Sequence, residues 1–464
     1  MTKKTRTILF FICVFLFLSV APSVVFYSQG YRIDLNPPAG GKKLTQTGGL
    51  FLKIEPKQTE IYIDEKLIKK TDFFFGSTLI ENLLPKKYKV AVKKEKYQNW
   101  EKTLEIKEKG VTEAKNILLI PENPNFQILI KGVKDYFFSP DERKMILKKE
   151  KDNDWYLTLF DLEKNVEIFL IEGKNFSQKK VEFLSLQWSF DSKRILLENA
   201  IGEEQKYFIL ELDKPSPIIP IPLNITEIPE KISFNSVNSQ KIFLQKDGSL
   251  FEVDYKAKEI SGPILANLVT YEISNSSIFW LDVSGFLFNS DFSGKNRNKI
   301  NLEPFSVKEE TEYQIFLKLP EIFLKEENIL FRFDYDLKKF EKIFEPIKSL
   351  EFSKDSKKLL FFNDYEIWIY YLKDILEQPS KKTGDSQLIA RFSEKIDNCF
   401  WLNNYYLIFN VGEKLKIAEI DERDRIQIWD SASFQTPEIF LNQNSKELYI
   451  LSGENLYKSE KIIK

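Results

Sequence analysis

The sequence predicts an all-β protein held behind one N-terminal transmembrane helix. Three observations predict it: an apolar run from Thr7 to Tyr27, short alternating strands between Gly48 and Pro121, and a motif of aromatic, Ser-x-Asp and apolar residues that recurs from Asn125 to the end. They divide the chain into 1–28 (cytoplasmic tip and anchor), 29–47 (linker), 48–121 (small antiparallel, sandwich-like β-domain) and 126–464 (the repeating array).

Thr7 to Tyr27 is almost purely apolar, and roughly 21 helical residues at ~1.5 Å each match the ~30 Å hydrocarbon core of a bilayer. Lys3, Lys4 and Arg6 precede it. The positive-inside rule then puts the N-terminus in the cytoplasm and everything after Tyr27 outside, as a single-pass plasma-membrane protein. A cleaved signal peptide is the alternative, but its apolar core would be shorter, and Pro22 interrupts the small-residue patterns near Ser19, Ala21 and Ser23. Ile12 before Cys13 is too bulky for a lipoprotein signal.

In the small domain, Phe51-Leu-Lys-Ile, Glu60-Ile-Tyr-Ile-Asp, Tyr88-Lys-Val-Ala-Val-Lys and Trp100-Glu-Lys-Thr-Leu-Glu-Ile each place apolar residues on one face at a period of two. The run from Gly48 to Asp64, then Asn82-Leu-Leu-Pro-Lys-Lys-Tyr-Lys-Val and Lys96-Tyr-Gln-Asn-Trp, resembles a PEGA domain over about 70 residues. Pro56-Lys-Gln-Thr stands where that family has Pro-Glu-Gly-Ala, and Glu65 and Lys86 replace two turn glycines, so remodelled turns are expected. The segment Gly30-Tyr-Arg-Ile-Asp is similar to the piece joining anchor to sheet in membrane-bound members. The resemblance implies an extracytoplasmic module of adhesion or envelope contact, without catalytic residues. Lys86, Lys87, Lys89, Lys93, Lys94 and Lys96 offer a contact for anionic polymer or lipid, yet their alternation with Val90 and Val92 also describes a solvated strand face.

Further on, Phe138-Ser-Pro-Asp-Glu-Arg-Lys-Met-Ile-Leu, Trp188-Ser-Phe-Asp-Ser-Lys-Arg-Ile-Leu-Leu and Phe352-Ser-Lys-Asp-Ser-Lys-Lys-Leu-Leu-Phe share one pattern: a strand end, a Ser-x-Asp turn and a second strand. Weaker copies begin at Phe234, Ile273, Trp401 and Leu441, and a degenerate unit spans Tyr313 to Phe344. A spacing of about 40 to 50 residues is that of four-stranded propeller blades, and seven or eight are expected. Phe126-Gln-Ile-Leu-Ile stands alone before the first unit, while the last has three strands, so closure of the last blade by this N-terminal strand is expected. The strong copies resemble the WD40-like repeats of TolB-type propellers, with Glu142, Ser192 and Ser356 in place of the turn glycine.

Composition narrows the function. Phe alone counts 40, which excludes a disordered chain. Lys and Arg total 68 against 69 Asp and Glu, so no global field marks a nucleic-acid binder. The chain has no histidine, which removes the usual general base, the Ser-His-Asp and Cys-His constellations and nearly every catalytic zinc site. Cys13 lies in the membrane run and Cys399 in a strand-like segment, so no disulfide framework is expected.

The Ser-x-Asp pairs at Ser139, Ser189 and Ser353 read as turns rather than sialidase boxes, which also require Gly and Trp. Asp282, Asn289 and Asp291 are a possible calcium set, but lack an EF-hand pattern. Tyr370, Tyr371, Tyr405 and Tyr406 are either a ligand rim or packing between blades. No catalytic, cofactor-binding or metal-binding residue is assigned. A non-catalytic binding or adhesion module follows, partnered by the membrane and by an envelope protein or cell-wall glycan. A structural envelope scaffold is the alternative, and a carboxylate-dependent glycan hydrolase a third.

Overall fold

The computed structural model describes residues 3–34, 43–214, 218–225 and 227–462. Helix α1 (Lys3–Ser28) buries none of its residues, and its apolar length is that of a membrane span or a signal sequence. It ends where Gly30 turns to positive φ. There Arg32 donates to the Tyr27 carbonyl at 2.9 Å, a cation against the negative end of the helix.

The stretch expected as a linker contains paired strands, β1 (Tyr31–Asp34) and β2 (Lys43–Gln46). The small domain follows with β3 (Gly48–Glu55), β4 (Glu60–Ile63), β5 (Lys66–Lys70), β6 (Ser77–Leu83), β7 (Lys87–Lys93), β8 (Trp100–Glu105) and β9 (Val111–Leu118). They form two sheets, β6-β3-β9 and β5-β4-β7-β8. Leu50, Leu52 and Ile54 of β3 and Ile61, Val90 and Val92 of the other sheet are wholly buried, as their period of two requires.

Two features depart from expectation. The first sheet is mixed, because β9 runs parallel to β3. The chain reaches β9 only after crossing the other sheet, the long connection that parallel neighbours need. The other lies in the glycine-less turns: Asp64 and Glu65 both hold positive φ and close a two-residue hairpin, while Lys86 does not take positive φ.

β10 (Phe126–Lys131) opens the large unit. Seven sheets of four consecutive strands follow, over 135–172, 181–222, 231–266, 268–299, 313–344, 349–391 and 396–433. The eighth, 438–459, has three strands of its own and takes β10 as its fourth, paired to Asn455–Ser459. The expected closure therefore forms. Hydrophobic clusters straddle each pair of successive sheets, and one joins Tyr449, Leu451 and Leu456 of the eighth to Met145, Leu147 and Phe160 of the first. A ring results.

The Ser-x-Asp turns are built alike. Ser139, Ser189 and Ser353 each donate to the Asp two residues on at 2.6 Å. Each serine oxygen also accepts a backbone N–H from the strand after the turn. Glu142, Ser192 and Ser356 hold φ of 55°, 56° and 55°, so the left-handed turn persists without its glycine.

Candidate functional site

The sequence candidates resolve by burial and register. Tyr370, Tyr371 and Tyr406 are buried. Tyr371 donates to Gln387, and the Tyr406 hydroxyl accepts the backbone N–H of Leu118, so both are packing residues. Tyr405 lies over the Lys358 ammonium. Asn289 and Asp291 sit along one strand, and Asp291 pairs with Ser277, at the far end of the neighbouring strand from Asp282. Five residues at ~3.3 Å separate the two carboxylates too widely for one ion. Asp291 instead accepts from Ser293, Lys295 and Asn296, a turn assignment. In the lysine run, Lys86 pairs with Asp64 at 3.2 Å and Lys89 with Glu101 at 3.4 Å, while Val90 and Val92 are buried beneath them.

Two features emerge that single residues did not announce. The first is the joint between sandwich and ring. Lys102 is fully buried, on the apolar face it shares with Trp100 and Leu104. Its Nζ lies 2.7 Å from Glu419 Oε1 and donates to the carbonyls of Asp421, Arg423 and Arg425 at 2.7, 3.0 and 2.6 Å. Trp100 Nε1 donates to Glu419 Oε2 at 2.9 Å. Burial raises the Glu419 carboxyl above its usual range, opposed by the Lys102 charge. One hydrophobic cluster runs through Trp100, Ile117 and Leu119 into Leu402, Tyr406 and Trp429 of the seventh sheet. The cavity left at this joint is about 60 Å³, on the order of a few waters. Tyr371, Tyr405 and Tyr406 of the sequence-predicted rim all line it.

The second feature is the axial channel. First strands of the sixth, seventh and eighth sheets supply Glu351, Cys399 and Phe440 to one cavity of about 390 Å³. Burial pushes Glu351 up to about 7, and raises the Cys399 thiol above its usual value. A second, open cavity of about 660 Å³ adjoins it as a mouth, sharing Asp397, Asn398 and Phe440 and bordered also by Tyr136, Glu413 and Glu438. Asp397, Glu413 and Glu438 are exposed there, and Lys348 lies 4.0 Å from Asp397. Partial burial of its carboxyl against the ring, although the residue surface is exposed, and then the charge of Asp135, raise Glu438.

This mouth lies where first strands begin, at Ile396 and Glu438. The sandwich docks at the other end of the seventh sheet, against Tyr406 and the loop 420–427 between its last two strands. The acidic mouth is therefore left open by the protein's own small domain.

The chain is thus an all-β protein with one N-terminal apolar helix and a ring of four-stranded sheets of the propeller kind. No family model and no curated protein matches it. Solved structures similar to it include the computationally designed Ika8 protein, at TM-score 0.46 and 8% identity over 71% of this chain and 96% of that one. Others are the WD40 domain of SCAP from fission yeast (0.44, 10%, 73% and 98%) and an oligogalacturonate lyase from Vibrio parahaemolyticus (0.39, 14%, 73% and 97%). The propeller assignment rests on this chain's own strand pairing.

Proposed function

We propose that this is a membrane-anchored, non-catalytic protein-interaction module. Its helix crosses the plasma membrane once with the N-terminus in the cytoplasm. Outside stand a PEGA-like sandwich and an eight-bladed, WD40-like propeller. The observation that carries this proposal is the position of the acidic channel mouth, at the end of the ring opposite the docked sandwich. Asp397, Glu413 and Glu438 beside Tyr136 suit a cationic segment of an envelope protein, attracted by charge and held by aromatic contact.

A structural bracing role is the second reading. It is favoured by the buried Lys102–Glu419 joint, which fixes the sandwich to the ring. Full-length protein in nanodiscs, incubated with solubilised envelope proteins and wall polysaccharide, separates the two. Capture of a discrete component, lost in the Asp397→Lys/Glu413→Lys/Glu438→Lys variant, supports recognition at the mouth. Equal capture by both forms moves binding elsewhere, and no capture favours bracing.

A further inference from the structure

We propose that the β5–β6 edge of the sandwich, led by Phe73, Phe74 and Phe75, enters the headgroup region of the bilayer that holds the N-terminal helix. The proposal rests on the membrane-anchor reading and adds a second, peripheral contact to it.

Topology sets the direction of this edge. β5 and β6 are the terminal strands of their two sheets, and residues 71–76 connect them. The strands at the opposite edges, β8 and β9, meet the propeller through Trp100, Lys102 and Leu118. The β5–β6 side thus faces away from the ring. The anchor meets the end of β6 remote from the loop, where Arg32, bound to the last turn of the helix, also donates to Asn82 at 2.8 Å. β6 has seven residues, so at ~3.3 Å each the loop lies on the order of 20 Å from the anchor's exit.

The chemistry of the edge matches a lipid interface. Phe73, Phe74 and Phe75 are 67%, 73% and 67% exposed, three successive aromatic rings offered to solvent. All five residues of β5, Lys-Leu-Ile-Lys-Lys, are exposed. Aromatic and aliphatic side chains interleaved with lysine characterise surfaces that lie in the headgroup layer, where the rings sit at the acyl boundary and the ammonium groups meet anionic lipid. The tether makes the encounter intramolecular, so even a weak contact is populated.

The test uses the full chain in nanodiscs of phosphatidylcholine with or without phosphatidylglycerol, with a polarity-sensitive fluorophore on one cysteine and a nitroxide-labelled lipid as quencher. Cys399→Ala leaves Cys13 to report on the helix. Cys13→Ala/Cys399→Ala/Phe74→Cys reports on the loop, and Phe75→Cys in the same background repeats that reading from the next position. The expected result is quenching at both sites, with loop emission shifted further to the blue when phosphatidylglycerol is present. Quenching at Cys13 with water-like, unquenched emission at 74 and 75 overturns the loop contact and leaves the anchor intact. No quenching at Cys13 overturns the anchor itself. Blue-shifted but unquenched emission at 74 marks a protein partner on this edge and overturns the lipid assignment.

Discussion

Lys102 and Glu419 form an ion pair of 2.7 Å, both buried, at the centre of the seam between sandwich and propeller. Two charges withdrawn from water there are held by each other, by Trp100 and by three backbone carbonyls. A pair so placed favours this relative position, because separating either group from its partners leaves it buried and unsatisfied.

Removing one partner leaves the other uncompensated. Lys102→Met is expected to destabilise the protein by about 3–5 kcal/mol, since a buried carboxylate without its counter-charge and three carbonyls without their donor remain. Lys102→Met/Glu419→Gln recovers part of that loss. Urea midpoints of the three proteins check the order, wild type above double variant above single variant.

The Leu118 N–H ends its strand on the Tyr406 hydroxyl, at 2.9 Å and out of water. Tyr406→Phe keeps the ring and deletes only the acceptor. A buried donor without a partner costs roughly 1–3 kcal/mol. Urea unfolding shows the loss, and faster hydrogen exchange at the Leu118 amide locates it.

Ser356 sits at φ 55°, a conformation that glycine adopts freely and a β-carbon resists. Ser356→Gly is expected to raise stability by about 0.5–1 kcal/mol, the relief of left-handed strain exceeding the added freedom of the unfolded chain. The equivalent change at Ser192 gains less, because its hydroxyl accepts the Asp141 N–H of the neighbouring sheet. Thermal midpoints of the two variants test this ranking.

Glu351 gives the channel a pH dependence. Its carboxyl is raised by burial from 4.5 to about 7, so between those values the folded protein holds a proton that the unfolded chain has released. Stability therefore falls as pH rises through this window, by at most about 3 kcal/mol, and levels above it. Glu351→Gln reduces this slope without abolishing it, because Glu419 and Glu438 are also raised by burial, and it is more stable than wild type above pH 7. Urea midpoints measured across the window decide it.

Much of this architecture was legible in the chain. Ser-x-Asp turns between apolar strands marked the sheets, and the orphan run at Phe126 marked its own pairing with the last sheet, because an unpaired strand beside a three-stranded unit has one economical solution. The parallel placement of β9 was not legible, since a period of two reads the same beside a parallel or an antiparallel neighbour. Lys102 did leave a signal, a lysine on the apolar face between Trp100 and Leu104. Its partner did not, because the joint unites residues such as Trp100 and Glu419 that lie 319 positions apart. The acidic mouth was equally hidden, assembled from Tyr136, Asp397 and Glu438 of three different sheets.

Recognition at that mouth is tested most directly by site-specific photo-crosslinking in the native membrane. A photoreactive phenylalanine analogue at Glu413, on the rim, is compared with the same analogue at Phe169, exposed on the outer strand of the first sheet. A discrete crosslinked protein from position 413 and none from 169 is the predicted result. Absence of any adduct at 413, or the same adducts from both positions, would contradict it.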